Sequence, residues 1–105
     1  MNNPTNKNKN KVYIVNKSGH NFDAAKEFGK LIPLSEGSMN KLSPNSMYRK
    51  FNDILINSNE NDYILLSGLS IMNSVACSIF VHKHKKLNLL LYTSNKYVER
   101  NLVFE

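Results

Sequence analysis

The 105 residues suffice for one domain and are too few for two. One cysteine excludes an internal disulfide, and no apolar run approaches the roughly 20 residues that span a bilayer, so no membrane partner is expected. The formal charge of +6 points to an anionic partner, although lysine exceeds arginine twelve to two and asparagine is abundant, the signature of an AT-rich genome.

Residues 1–10, MNNPTNKNKN, hold no large apolar side chain after Met1 and read as a disordered tail; residues 11–105 read as the single domain. Lys7, Lys9 and Lys11 are assigned to the tail, which leaves residues 12–105 only about +3 by counting. The tail contains no secretory signal, so the expected location is the reducing cytoplasm, that of the host cell if the chain is viral.

Val12-Tyr13-Ile14-Val15 predicts a first strand, and Asn16 to Asn21 a turn-rich loop. Phe22 to Gly29 predicts a short helix with Phe22, Ala25 and Phe28 on one side, started by Asn21 or Asp23 and stopped by Gly29. Lys30 to Leu34 is a second strand, and Pro33 sends it to a sheet edge because it cannot donate to a ladder. Ser43-Pro44 starts a helix with serine at the cap and proline in the first turn; Met47, Phe51, Ile54 and Leu55 form its apolar stripe. Tyr63-Ile64-Leu65-Leu66 is apolar without alternation, as suits a strand buried on both faces. A helix over 71–82 follows, then a strand over 87–92 and a final strand over 97–104, joined by a turn too short for a parallel crossover.

The alternation predicts an α/β fold, a small Rossmann-like or flavodoxin-like three-layer domain with about five strands. The expected order is 2-1-3-4-5, mostly parallel, with an antiparallel strand at the edge.

In such a sheet, ligands bind beyond the carboxyl ends of the strands. Three loops there share Ser and Gly: Asn16 to Asn21, Ser35 to Ser38, and Ser67 to Asn73. Glycine lets backbone amides approach an anion, serine adds hydroxyls, and a helix start adds unpaired N–H groups. The candidate ligand-binding residues are therefore Asn16, Lys17, Ser18, Gly19, His20, Ser67, Gly68, Ser70 and Asn73. Strand-to-helix turns favour the same residue types without any ligand, and neither loop is a G-x-G-x-x-G or Walker motif. His20 with Ser18, Glu36 or Asp23 is the one conceivable acid–base group; no carboxylate pair, nucleophile elbow or Cys/His pair stands out, so no catalytic residue is assigned.

His82-Lys83-His84-Lys85-Lys86 could contact phosphates, but also falls where a helix ends and cations complement its dipole. His82 and His84 share no helix face, and no metal or cofactor is expected. Tyr48, Tyr92 and Tyr97 could stack on a base, and equally serve as core or sheet surface. Cys77, among Val75, Ala76 and Ile79, reads as a packed, unreactive thiol.

The segments VYIVNKSGHNFDAAKEFG (12–29), LIPLSEGSMN (31–40), DYILLSGLSIMNSVACSIFVHKHKKLNLLLY (62–92) and KYVER (96–100) resemble small proteins encoded by bacteriophages and prophages. The resemblance implies a viral protein acting inside a bacterial cell and carries over neither an activity nor any catalytic position.

The function these features predict is non-enzymatic binding of an anionic small molecule, a nucleotide or a nucleotide-derived immune signal that a phage would sequester. A homodimer or higher homo-oligomer is expected, because one small core offers limited pocket depth. The alternatives are a nucleic-acid-binding accessory protein using the tail and the 82–86 run, and a protein-binding inhibitor of a host enzyme. A small hydrolase or transferase has the least support.

Overall fold

In a computed structural model, residues 10–40 and 42–104 are described. The expected tail falls outside them except for Asn10, whose carbonyl accepts the Lys30 amide at 3.1 Å. In chain order the elements are β1 (Lys11–Ile14), a 3-10 helix η1 (Asp23–Phe28), β2 (Lys30–Pro33), α1 (Pro44–Leu55), β3 (Tyr63–Leu65), α2 (Ser70–His84), β4 (Lys86–Thr93) and β5 (Lys96–Val103). The sheet order is β2-β1-β3-β4-β5, parallel except for the β4–β5 pair, as the sequence predicts.

Strand alternation divides the core. Tyr13, Val15, Ile64 and Leu87 meet Met47, Phe51 and Leu55 of α1 and Met72, Ala76, Ile79 and Phe80 of α2. On the opposite face Val12, Ile14, Tyr63, Leu65, Leu90 and Tyr97 pack with Phe22 and Ala25, and Phe28 lies against them. The middle strands are thus buried on both sides, which explains their unalternating sequence. The second covering layer is thin: one six-residue 3-10 helix faces what two α-helices match on the other side.

Several local features differ from expectation in instructive ways. The helix after the first loop is 3-10, and the spacing of Phe22, Ala25 and Phe28 fits three residues per turn better than 3.6. Asn21 Oδ1 accepts the Asp23 amide at 2.8 Å, a turn rather than a helix cap. Pro44 is the first residue of α1, yet the Ser43 side chain makes no capping bond. Its carbonyl instead accepts the Ser46 and Met47 amides at 3.1 and 3.3 Å. Lys11 is the first residue of β1 and not part of a free tail: its amide bonds Asp62 Oδ1 and its Nζ the Asn57 carbonyl, each at 2.8 Å.

Asp62 anchors the amino-terminal rim of the sheet. Its carboxylate is fully buried and also accepts the Asn59 amide at 2.8 Å, with Lys11 Nζ 3.9 Å away. Asn88, in β4, gives its amide to the carbonyls of Glu60 and Asp62 and receives Asn101 from β5. This polar network clips three strands together at the end of the sheet away from the candidate loops. Burial, reinforced by the Asp62 charge, pushes the Tyr13 phenol up to about 12.

Candidate site at the carboxyl rim of the sheet

β1 and β3 are adjacent, so the loops that follow them leave the sheet side by side. The two loops are hydrogen-bonded to each other directly. The Asn16 amide donates to Ser67 Oγ, and that hydroxyl donates to the Asn16 carbonyl, both at 2.9 Å. Asn16 Nδ2 reaches the third loop, donating to Ser35 Oγ and the Gly37 carbonyl at 2.9 Å. Ser35 Oγ in turn donates to the Val15 carbonyl at 2.7 Å. Asn73 folds back from α2, its Oδ1 accepting the Ser67 amide at 3.1 Å.

Asn16, Ser67 and Asn73 therefore spend their polar groups on holding the loops together. Gly68 is the closest point of approach. Its φ is +80°, and a Cβ there would lie 2.7 Å from the Asn16 Cβ and 3.1 Å from Met72 Sδ. Only glycine permits both the conformation and the contact.

Two hollows open on either side of Gly68. One, of about 400 Å³, is lined by His20, Asn21, Phe22, Leu65, Leu66, Ser67, Gly68, Tyr92 and Tyr97. The other, of about 390 Å³, lies among Asn16, Ser18, Gly37, Ser38, Met39, Gly68, Leu69 and Met72. The candidate residues of the sequence divide accordingly. His20 and Ser67 face the first hollow, Asn16 and Ser18 the second, and Gly68 both. Lys17, Gly19, Ser70 and Asn73 line neither; Lys17, Gly19 and Ser70 are exposed beside them.

The first hollow has an aromatic wall. His20 and Phe22 meet edge to face with centroids 6.0 Å apart, and Tyr92 and Tyr97 pack at 5.2 Å. Burial, then the neighbouring Tyr92, holds the Tyr97 phenol above its ordinary value of 10. Tyr92 is 61% exposed, with its hydroxyl bonded to Asn95 Oδ1 at 2.9 Å. Ser94 and Asn95 both adopt positive φ, the tight hairpin turn that swings Tyr92 and Tyr97 to the same rim as the β1 and β3 loops. Sequence reading noticed the two tyrosines but could not join them to His20 and Phe22, which lie some seventy residues away in the chain.

Two residues beyond Gly68, and nearer the second hollow that Leu69 and Met72 line, α2 begins at Ser70 with no side chain capping its first turn. Its first amides have no partner within the helix and lend the rim a partial positive charge.

The basic run takes a different place. His82 and Lys83 border a groove of about 650 Å³ between α1 and α2, whose other walls include Tyr48, Ile56, Val75 and Ile79. His84 turns inward against Phe80, with centroids 4.5 Å apart, and bonds Ser58 Oγ at 2.8 Å. Ser58 gives its own proton to the Leu55 carbonyl at 2.6 Å, so the imidazole is the donor. Burial, then Lys83, lowers the His84 pKa below 6.5. Lys85 is the left-handed residue that ends α2, at φ 60°, and Lys86 opens β4. Among the described residues, no group of three or more His, Cys, Asp or Glu side chains could hold a metal, and no helix is long and apolar enough to cross a membrane.

A family model described as Phage Pam3 gp32-like protein matches residues 10–104. The chain belongs to this phage family. The resemblance to phage and prophage proteins is thereby borne out over nearly the whole length. No curated protein and no solved structure matches the chain. The phage family sets the biological setting, and the chemistry of the rim has to be read from the residues themselves.

Proposed function

We propose that this phage-family protein binds, without turning over, a small anionic molecule with a planar ring, of the nucleotide class. The observation that carries the reading is the 400 Å³ hollow walled by His20, Phe22, Tyr92 and Tyr97 and bordered by Ser67 and Gly68, two residues before α2 begins. Its volume is within the range of small-molecule sites. Aromatic faces suit a base, and the uncapped first turn suits a phosphate. The strand order, which reverses direction between β1 and β3, supports a Rossmann-like relationship, and sheets of that kind bind ligands beside the loops that leave those two strands. In an infected bacterium, sequestering a nucleotide immune signal is a role that needs this binding and no catalytic group.

The test is thermal-shift screening of the full chain against mononucleotides, cyclic nucleotides and short oligonucleotides, followed by calorimetry. A true ligand at about 100 times its dissociation constant should add about 2.7 kcal/mol of stability. Tyr92→Ala and His20→Ala alter exposed side chains and should weaken that binding at least tenfold while leaving the unliganded melting temperature nearly unchanged. No shift with any nucleotide refutes the reading. Binding of oligonucleotides alone, abolished by Lys83→Glu with Lys85→Glu and indifferent to Tyr92→Ala, replaces it with the nucleic-acid alternative.

A further inference from the structure

The edge strand β5 has eight residues, is paired to β4 along its whole length without a bulge, and has no strand on its other side among the described residues. The opposite edge, β2, is four residues long and carries Pro33. Long unblocked edges recruit further strands, and natural proteins normally blunt them. β5 has no proline, and its far end is apolar, with Leu102 46%, Val103 75% and Phe104 44% exposed.

The Phe104 amide is given to the Lys85 carbonyl at 2.9 Å. By the two-residue alternation of an antiparallel ladder, Lys96, Val98, Arg100 and Leu102 then direct their backbone groups at β4. Tyr97, Glu99, Asn101 and Val103 direct theirs outward. A two-fold axis perpendicular to the sheet allows only registers in which some residue faces its own copy. Centred on Arg100, the register pairs Glu99 with the second copy's Asn101 and Tyr97 with its Val103. All four outward residues of each copy are then hydrogen-bonded. Val98 comes opposite the second copy's Leu102, on the side of the sheet that bears α2. A register centred on Glu99 opposes two carboxylates and leaves Val103 outside the strand-to-strand pairing, and one centred on Asn101 leaves Tyr97 outside it.

We infer that the protein forms a two-fold dimer by antiparallel pairing of β5 with β5 of a second copy, centred on Arg100, making a continuous ten-stranded sheet. The pairing covers the apolar residues that one copy exposes at this edge. Its unfavourable elements are the Arg100 pair, whose guanidinium must release or share the outward Glu99 carbonyl that it bonds at 2.7 Å, and the repulsion of two chains of charge +6. Salt screens that repulsion, so dimerisation strengthens with salt, opposite to the behaviour of a nucleic-acid contact. The inference is independent of the ligand reading, and its readouts are mass and cross-linking.

Sedimentation of the full chain should show a dimer whose dissociation constant falls as salt rises. Val103→Pro removes an outward amide only, and Leu102→Lys places a charge against Val98 of the second copy; each should weaken the dimer at least tenfold. In a Cys77→Ser background, Arg100→Cys should cross-link rapidly under mild oxidation. Glu99→Cys, two residues out of register with its own copy and beyond the roughly 7 Å reach of a disulfide, should not. A monomer at every concentration and salt, a dimer indifferent to Leu102→Lys, or equal cross-linking at 99 and 100 overturns the inference.

Discussion

Replacing Gly68 by alanine should destabilise the protein far more than the same change at Gly19 or Gly37, although all three have positive φ. The backbone angles are similar, +66°, +72° and +80° at Gly19, Gly37 and Gly68. An L-residue held there costs about 1–2 kcal/mol at any of them. Gly19 and Gly37 have nothing within 4 Å of a new Cβ, so their cost stops there. At Gly68 the methyl group would stand 2.7 Å from the Asn16 Cβ, a side chain pinned by Ser35 and Gly37, and 3.1 Å from Met72 Sδ. Relieving that overlap means parting two loops or shifting α2, which adds about 1–3 kcal/mol. The expected total is about 2–5 kcal/mol, a large part of the roughly 5–15 kcal/mol that holds a domain folded. Urea titration of the three variants at neutral pH measures the difference. If Gly68→Ala costs no more than Gly19→Ala, the loops do not approach as described and the paired-loop site fails with them. A corollary concerns variant choice: a bulky residue at 68 tests folding rather than binding.

Asp62→Asn keeps the shape but presents an amide NH2 group to one of the two backbone N–H donors that the buried carboxylate accepts, and should cost about 2–3 kcal/mol by chemical denaturation. His84 has its folded pKa lowered, so the unfolded chain takes up the proton first. Its stabilising contribution is complete above pH 6.5 and is lost as pH falls through the lowered folded value; His84→Gln should flatten this part of the stability profile, and an unchanged slope would refute it. Burial pushes the Cys77 thiol up to about 11, so a thiol reagent at pH 8 should label native protein slowly and urea-unfolded protein rapidly.

The strand order was legible because Pro33 marks an edge and Tyr63 to Leu66 marks a strand covered on both faces. Those signals are compositional and survive without coordinates. The short helix after the first loop was legible from Phe22, Ala25 and Phe28, whose three-residue spacing is the period of a 3-10 helix. The site was legible as a rim and not as a set of partners. Asn16, Ser67 and Asn73 have the right chemistry for a ligand, but the loops approach closely enough to consume it. Which donors remain free depends on distances of a few tenths of an ångström, and no pattern of residue types encodes them. The aromatic wall escaped for another reason: it is assembled by a hairpin turn at Ser94-Asn95 that delivers Tyr92 and Tyr97 to loops from the other end of the chain.

The uneven cladding of the sheet sets where the molecule yields first. Two α-helices lock one face, whereas the other rests under a single short 3-10 helix, and the residue just before it, Phe22, also forms a wall of the hollow. Amide exchange should therefore be fastest across Asn21 to Gly29, and lifting that segment enlarges the hollow in the same motion. Occupancy of the hollow and rigidity of this flap would then be two readings of one equilibrium: a molecule held against Phe22 tightens the weakest seam of the fold, and a change that stiffens the seam slows the molecule's entry and exit.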